Sequence, residues 1–156
     1  MIREIRPFGD PILRTTCDPV RGITPGIRSV VRDLLDTVDQ PGRAGVAANQ
    51  IGVGLRIFSY LVDGDLGYLI NPELVSATGE QSGPEGCLSV PGHSFEVTRP
   101  DRVEVTGIDL DGAPVTVVGT GLLARALLHE LDHLDGRLYI DLLPGSRRRE
   151  VLRAFR

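Results

Sequence analysis

Two imidazoles and a carboxylate fall within five positions of each other in His129-Glu130-Leu131-Asp132-His133, an HExxH pattern. On a helix, at about 100° per residue, His129 and His133 lie one turn apart on one face, a spacing at which both can reach a single metal ion. Glu130 leans off that stripe, where its carboxylate can touch a metal-bound water without being a ligand, as a general base should. The plain alternative is a polar patch on a surface helix, and the pattern alone does not exclude it. A catalytic tetrahedral site takes three protein ligands plus water, so two histidines leave it one short. Cys87, in Glu85-Gly86-Cys87-Leu88-Ser89 between Pro84 and Pro91, is the leading candidate for the third. Glu85 is the other; it would complete the two-His, one-carboxylate set of a zinc endopeptidase.

A helix must carry the histidines. Thr120 offers its N-cap and Asp135-Gly136 its end, and Leu122, Ala126, His129 and His133 form one stripe whose apolar part is expected to bury the helix against a sheet. Asp132 and Asp135 flank the site, and either could orient an imidazole as an outer hydrogen-bond acceptor. An earlier amphipathic helix starts at Thr24-Pro25, repeats Ile27, Val30, Val31, Leu34, Leu35 and Val38 on one face, and stops at Pro41-Gly42. Residues 1 to 23 read as extended and irregular around Asp10-Pro11 and Asp18-Pro19, with Cys17 as a small apolar residue. Leu55 to Val62, Gly67 to Ile70, Arg102 to Thr106 and Val115 to Val118 read as strands, with Asp111-Gly112 proposing a hairpin before the last. His93 follows Pro91-Gly92 and reads as a loop residue. The run Arg43 to Gly52 is rich in small residues, which suits either tight packing or a peptide-like ligand lying against the main chain. With no βαβ alternation, the expected fold is α+β: mostly antiparallel twisted sheets around a central HExxH-bearing helix, plus the N-terminal amphipathic helix. One domain, residues 1 to 156, accommodates all of it.

Composition narrows the function. The chain has 156 residues, 41% of them hydrophobic, and a formal charge of −4, which argues against nucleic-acid binding as its main business. All of its cations are arginine, for which we have no physical account. No apolar run reaches the length of a signal peptide or a membrane span, so a cytoplasmic protein is expected. Cys17 and Cys87 in such a chain are a poor basis for a disulfide.

Taken together, Arg43 to Gln50, Glu85 to Ser89 and His129 to His133 resemble, in order, the GxGxAAxQ, EGCLS and HExDH motifs of the peptide deformylases. The similarity of layout runs from about residue 5 to residue 143. The resemblance implies a hydrolase that removes the formyl group from N-formylmethionyl nascent peptides and releases formate. It implies Cys87, His129 and His133 as metal ligands, Glu130 as acid/base, and Gln50 with the backbone N–H of Leu88 as donors to the formyl oxygen. It places Gly45 along the peptide groove, and Ala44, Leu122, Arg125 and Ala126 around the methionine side chain. It also implies one divalent ion, Fe²⁺ first, with Zn²⁺, Ni²⁺ or Co²⁺ able to take its place. The other readings are a zinc endopeptidase and a non-catalytic metal-binding domain.

Two positions depart from the family pattern. Arg43 stands where the first motif has its first glycine, with Gly42 beside it; an arginine cannot adopt glycine's positive φ cheaply, so a different approach to the substrate groove is expected. Leu128 stands where many members have Gln. The tail from Pro144 to Arg156 reads as a short basic helix, either a solvated face or, as the resemblance suggests, a contact to the ribosome surface.

Overall fold

A computed structural model of the chain describes residues 1–154. Its centre is an antiparallel five-stranded sheet in the order β1-β2-β3-β6-β7, with β1 at Gly45–Ala47, β2 at Ile57–Val62, β3 at Asp65–Thr78, β6 at Arg102–Ile108 and β7 at Pro114–Thr120. Successive side chains of a strand point to opposite faces, and both faces of this sheet are covered. Ala47, Phe58 and Leu69 join Val103 and Val105 on one face, under helix α2 (Gly121–Leu134). Their neighbours Val46, Ile57 and Ile70 point the other way and pack with Ile27, Val31, Leu34 and Val38 of helix α1 (Pro25–Val38). Thr24 caps α1, its hydroxyl accepting from the Ile27 N–H at 3.2 Å.

The remaining strands, β4 (Gln81–Cys87) and β5 (Val90–Arg99), form a separate hairpin turned by Leu88-Ser89. It closes over the other side of α2 and shares a third cluster, including Val90, Val97 and Tyr139, with the C-terminal segment. Helix α3 (Gly145–Ala154) docks on that cluster through Val151 while Arg147, Arg148 and Arg149 stay exposed.

Several sequence expectations change. The strand expected to stop at Ile70 runs on through Asn71-Pro72 to Thr78. A register shift between Ile70 and Glu73 accommodates the proline, and Asn71 adopts φ 51° while its side-chain amide pairs with both the N–H and C=O of Val20 at 2.8 and 2.9 Å. His93 lies in β5, not a loop, its ring stacked near Phe95. Thr120 is the N-cap residue of α2, yet its side chain makes no capping bond. The stripe of Leu122, Ala126, His129 and His133 is not what buries α2, since Leu122 is 54% exposed. Ala124, Leu127, Leu128, Leu131 and Leu134 bury it against the sheet, leaving the histidine stripe to face the hairpin. Sandwiched in this way, α2 is buried continuously from Ala124 to Leu131.

Candidate active site

The donor atoms of Cys87, His129 and His133 lie within 4.8 Å of one another, and all three residues are buried. His133 Nε2 is 3.1 Å from His129 Nε2 and 3.4 Å from Cys87 Sγ. For a tetrahedral ion with metal–nitrogen bonds of about 2.05 Å and a metal–sulfur bond of about 2.3 Å, these edges would be about 3.3 and 3.6 Å, so the observed spacing fits such an ion. The electrostatics agree. For His129, burial disfavours the charged ring but Glu130, Cys87 and Glu85 outweigh it, and its pKa lies well above the usual imidazole value. His133 is held well below that value by burial and by the neighbouring His129. Surroundings that favour one positive charge among three inward-facing donors suit a cation.

Each donor is positioned by an element already described. The helix brings the two histidines to one face, and Cys87 ends β4 immediately before the hairpin turn, so the turn sets where its sulfur points. Glu85 is two residues earlier on the same strand, but it is not among the clustered donors. Its carboxylate accepts from Arg99 at 2.8 and 2.6 Å, from Arg125 at 2.9 Å, and pairs with His129 Nδ1 at 2.8 Å. Burial pushes this carboxyl up, but Arg99 and His129 more than offset that and hold it at about 2. Glu85 therefore takes the outer-acceptor role expected of Asp132 or Asp135: Asp132 binds Arg99 at 2.9 Å and Asp135 binds Arg56 at 3.0 Å. An outer carboxylate fixes the tautomer and orientation of its imidazole. Arg99 lies outside all three motifs, and no local spacing ties it to Glu85; the β4–β5 hairpin pairing brings its guanidinium back to that carboxylate.

Glu130 is 2% exposed, and its Oε1 has no hydrogen-bond partner. Burial pushes its carboxyl up to about 7. Gly45 explains how it fits: a Cβ there would lie 2.7 Å from Glu130 Cδ, so only a glycine lets the main chain of β1 pass the carboxylate. Gln50 sits in the single-turn 3₁₀ helix Ala48–Ile51. Its Oε1 accepts from the Ala47 N–H at 3.0 Å, which turns Nε2 toward Ser89 Oγ at 3.1 Å and Cys87 Sγ at 3.7 Å. Next to it, Asn49 donates to the His133 carbonyl at 2.7 Å and ties that turn to the end of α2.

Cys87, His129, Glu130, Gln50 and Glu85 line one cavity of about 340 Å³, together with Ala44, Gly45, Leu88, Leu122, Arg125 and Ala126. Of the residues that the family resemblance implies for the site, all but His133 line this cavity, and His133 joins them through the donor cluster. Arg125 differs in character from an ordinary pocket wall: it is buried, its guanidinium bound to Glu85 and to the Val97 carbonyl at 2.9 Å each. Arg43 is not among the residues with positive φ, because Gly42 takes that conformation at 79°. Leu128 points into the core beneath α2, and Cys17 is a buried free thiol in the same cluster.

A buried carboxylate beside a three-donor cation site, at the floor of an open cavity, is the equipment of a hydrolase. The family model described as polypeptide deformylase matches residues 2–149. A peptide deformylase from Parafrankia sp. (strain EAN1pec) is 50% identical over 157 residues, covering 99% of this chain and 86% of the relative. Another, from Acidothermus cellulolyticus, is 46% identical over 99% of this chain and 86% of the relative. Among solved structures, a peptide deformylase from Legionella pneumophila superposes with a TM-score of 0.93 at 38% identity, covering 98% of this chain and 92% of that one. The chain belongs to the polypeptide deformylase family.

Proposed function

We propose that this protein hydrolyses the formamide of N-formylmethionyl peptides, with Cys87, His129 and His133 holding one divalent ion. The observation that carries this reading is the convergence of those three donors beside the buried, unpartnered Glu130 carboxylate. Such an ion supplies a Lewis acid and lowers the pKa of a bound water toward roughly 7. The resemblance to the family favours Fe²⁺, with Zn²⁺, Ni²⁺ or Co²⁺ as substitutes.

The protein's own residues do the rest. Glu130, with a pKa of about 7, accepts a proton from the nucleophilic water and returns it to the departing amine. Gln50, its amide held by Ala47, donates to the formyl oxygen as charge develops there, and the Leu88 N–H at the hairpin turn is the second donor. Ala44, Leu122, Ala126 and the stem of Arg125 receive the methionine side chain, while Gly45 lines the groove along β1 and leaves room for the Glu130 carboxylate beside it. Glu85 keeps His129 oriented, and its own pairing with Arg99 and Arg125 disfavours the endopeptidase reading in which it would be a ligand.

No helix among the described residues is long and apolar enough to cross a membrane. A nascent-chain substrate places the enzyme in the cytoplasm, and the exposed arginines of α3 offer a charge-based contact to the ribosome surface. The test is formate release from formyl-Met-Ala-Ser by protein loaded anaerobically with Fe²⁺. Stoichiometric release is expected; fully metal-loaded protein that leaves the peptide intact would sink the proposal.

A further inference from the structure

Two arginines line the cavity, Arg43 and Arg125, and they are in different electrostatic states. Arg125 is paired with the Glu85 carboxylate at 2.9 Å. Among the described residues, no carboxylate lies within 4.0 Å of the Arg43 guanidinium. It is nonetheless fixed in place, because its Nη1 donates to the Thr37 carbonyl at 2.6 Å, in the last turn of α1, where helix carbonyls lack intrahelical partners. Anchoring through one nitrogen at a carbonyl restrains the side chain without cancelling its charge.

The position of Arg43 along the cavity identifies what would meet that charge. Gly45 packs against Glu130, so it marks the place of bond cleavage. The pairing of β1 with β2 extends one residue upstream, since the Leu61 N–H donates to the Ala44 carbonyl at 2.9 Å. Arg43 is one residue further out, beside the exposed Gly42, at the rim. At about 3.3 Å per extended residue it stands roughly 7 Å from Gly45, two residues along a peptide lying antiparallel or parallel to this edge.

We propose that Arg43 is a specificity-determining residue that favours substrates carrying a carboxylate just downstream of the formylmethionine. This rests on the deformylation reading and names a preferred substrate class for it. The carboxylate belongs either to an Asp or Glu side chain at the second or third position, or to the C-terminus of a short peptide; the chemistry is shared and the sources are separable. For a partly exposed ion pair the preference amounts to about two- to fivefold. It appears in KM, because the contact is made equally in ground and transition states.

The experiment measures kcat and KM on C-terminally amidated formyl-Met-Glu-Ser, formyl-Met-Gln-Ser and formyl-Met-Ser-Glu, with formyl-Met-Gln-Ser free acid as the arm for the terminal carboxylate. The wild type, Arg43→Gln and Arg43→Lys are compared at low salt and near 1 M, where screening acts over about 3 Å. Equilibrium binding of the corresponding deformylated peptides to the metal-loaded protein is measured in parallel. The wild type and Arg43→Lys should prefer at least one carboxylate-bearing peptide over amidated formyl-Met-Gln-Ser, and the preferred arm identifies the source. High salt and Arg43→Gln should abolish the preference while kcat on the Gln peptide stays unchanged. Equal KM values for all peptides in the wild type, or a preference that survives in Arg43→Gln, would overturn the proposal. If no formyl peptide is turned over, it is the deformylation reading that fails, and the binding ranks then decide on Arg43 alone.

Discussion

Replacing Glu85 with Gln tests the charge balance around the site, because this one carboxylate faces Arg99, Arg125 and His129 while only 4% exposed. A carboxyl held at about 2 against an ordinary 4.5 corresponds to about 3 kcal/mol of stability at neutral pH. That agrees with the 3–5 kcal/mol that is typically lost when one partner of a buried ion pair is removed. The amide of Gln keeps one acceptor oxygen but turns a donor toward a guanidinium, so the loss should not be recovered by hydrogen bonding. For a chain of this size it lowers Tm by roughly 6 to 12 °C. The pH dependence has a definite sign. A depressed carboxyl stabilises the fold fully above the unfolded value of 4.5 and progressively less as pH falls toward 2. Urea unfolding of metal-free wild type and Glu85→Gln should therefore show a gap that is widest near pH 5 to 6, narrows below pH 4.5 as Glu85 takes up a proton, and narrows again above pH 6.5 as His129, whose raised pKa depends in part on Glu85, loses its own. Freed from its acceptor, His129 should also hold metal about 10- to 100-fold less tightly in chelator competition. A gap under about 1 kcal/mol at pH 7, or one that persists unchanged at pH 3, would refute the assignment of Glu85 as the charge that balances this cluster.

Gly45→Ala should leave Tm within a few degrees but reduce kcat about 100-fold, since its methyl would displace Glu130 from 2.7 Å away and small misplacements are that costly; steady-state kinetics with a thermal melt would show both. Glu130→Gln should retain one bound metal by elemental analysis while turnover falls roughly 10²- to 10⁴-fold, separating proton transfer from metal binding. Burial pushes the Cys17 thiol up to about 11, so maleimide at pH 7.5 should label Cys17 only as the protein unfolds, as mass mapping would reveal. Because that thiol is more readily ionised when unfolded, its share of the stability is present below pH 9 and lost between pH 9 and about 11; a flat unfolding midpoint across that window would contradict it.

Local chemistry in the sequence determined the parts of this protein that depend on short separations. The i, i+4 histidines with an adjacent Glu, the Thr24-Pro25 start of α1, the hairpin after Ile108, and the ordered trio of motifs all follow from spacing that any reader of the chain can measure. Periodicity could not say which side of α2 would meet the sheet, because a helix enclosed between two sheets is apolar on most of its circumference and its stripe is ambiguous. Nor could it carry β3 through Asn71-Pro72, where the Asn71 side chain, paired with the backbone of Val20 far away in sequence, makes the bulge possible. The division of labour between Cys87 and Glu85 was open for the same reason. Two residues apart on one strand, either could have been the ligand, and only the arrival of Arg99 from β5 and Arg125 from α2 draws Glu85 away from the donor cluster. Charges are settled by whatever surrounds them in three dimensions. The sequence names the groups capable of chemistry, and tertiary packing assigns each its partner.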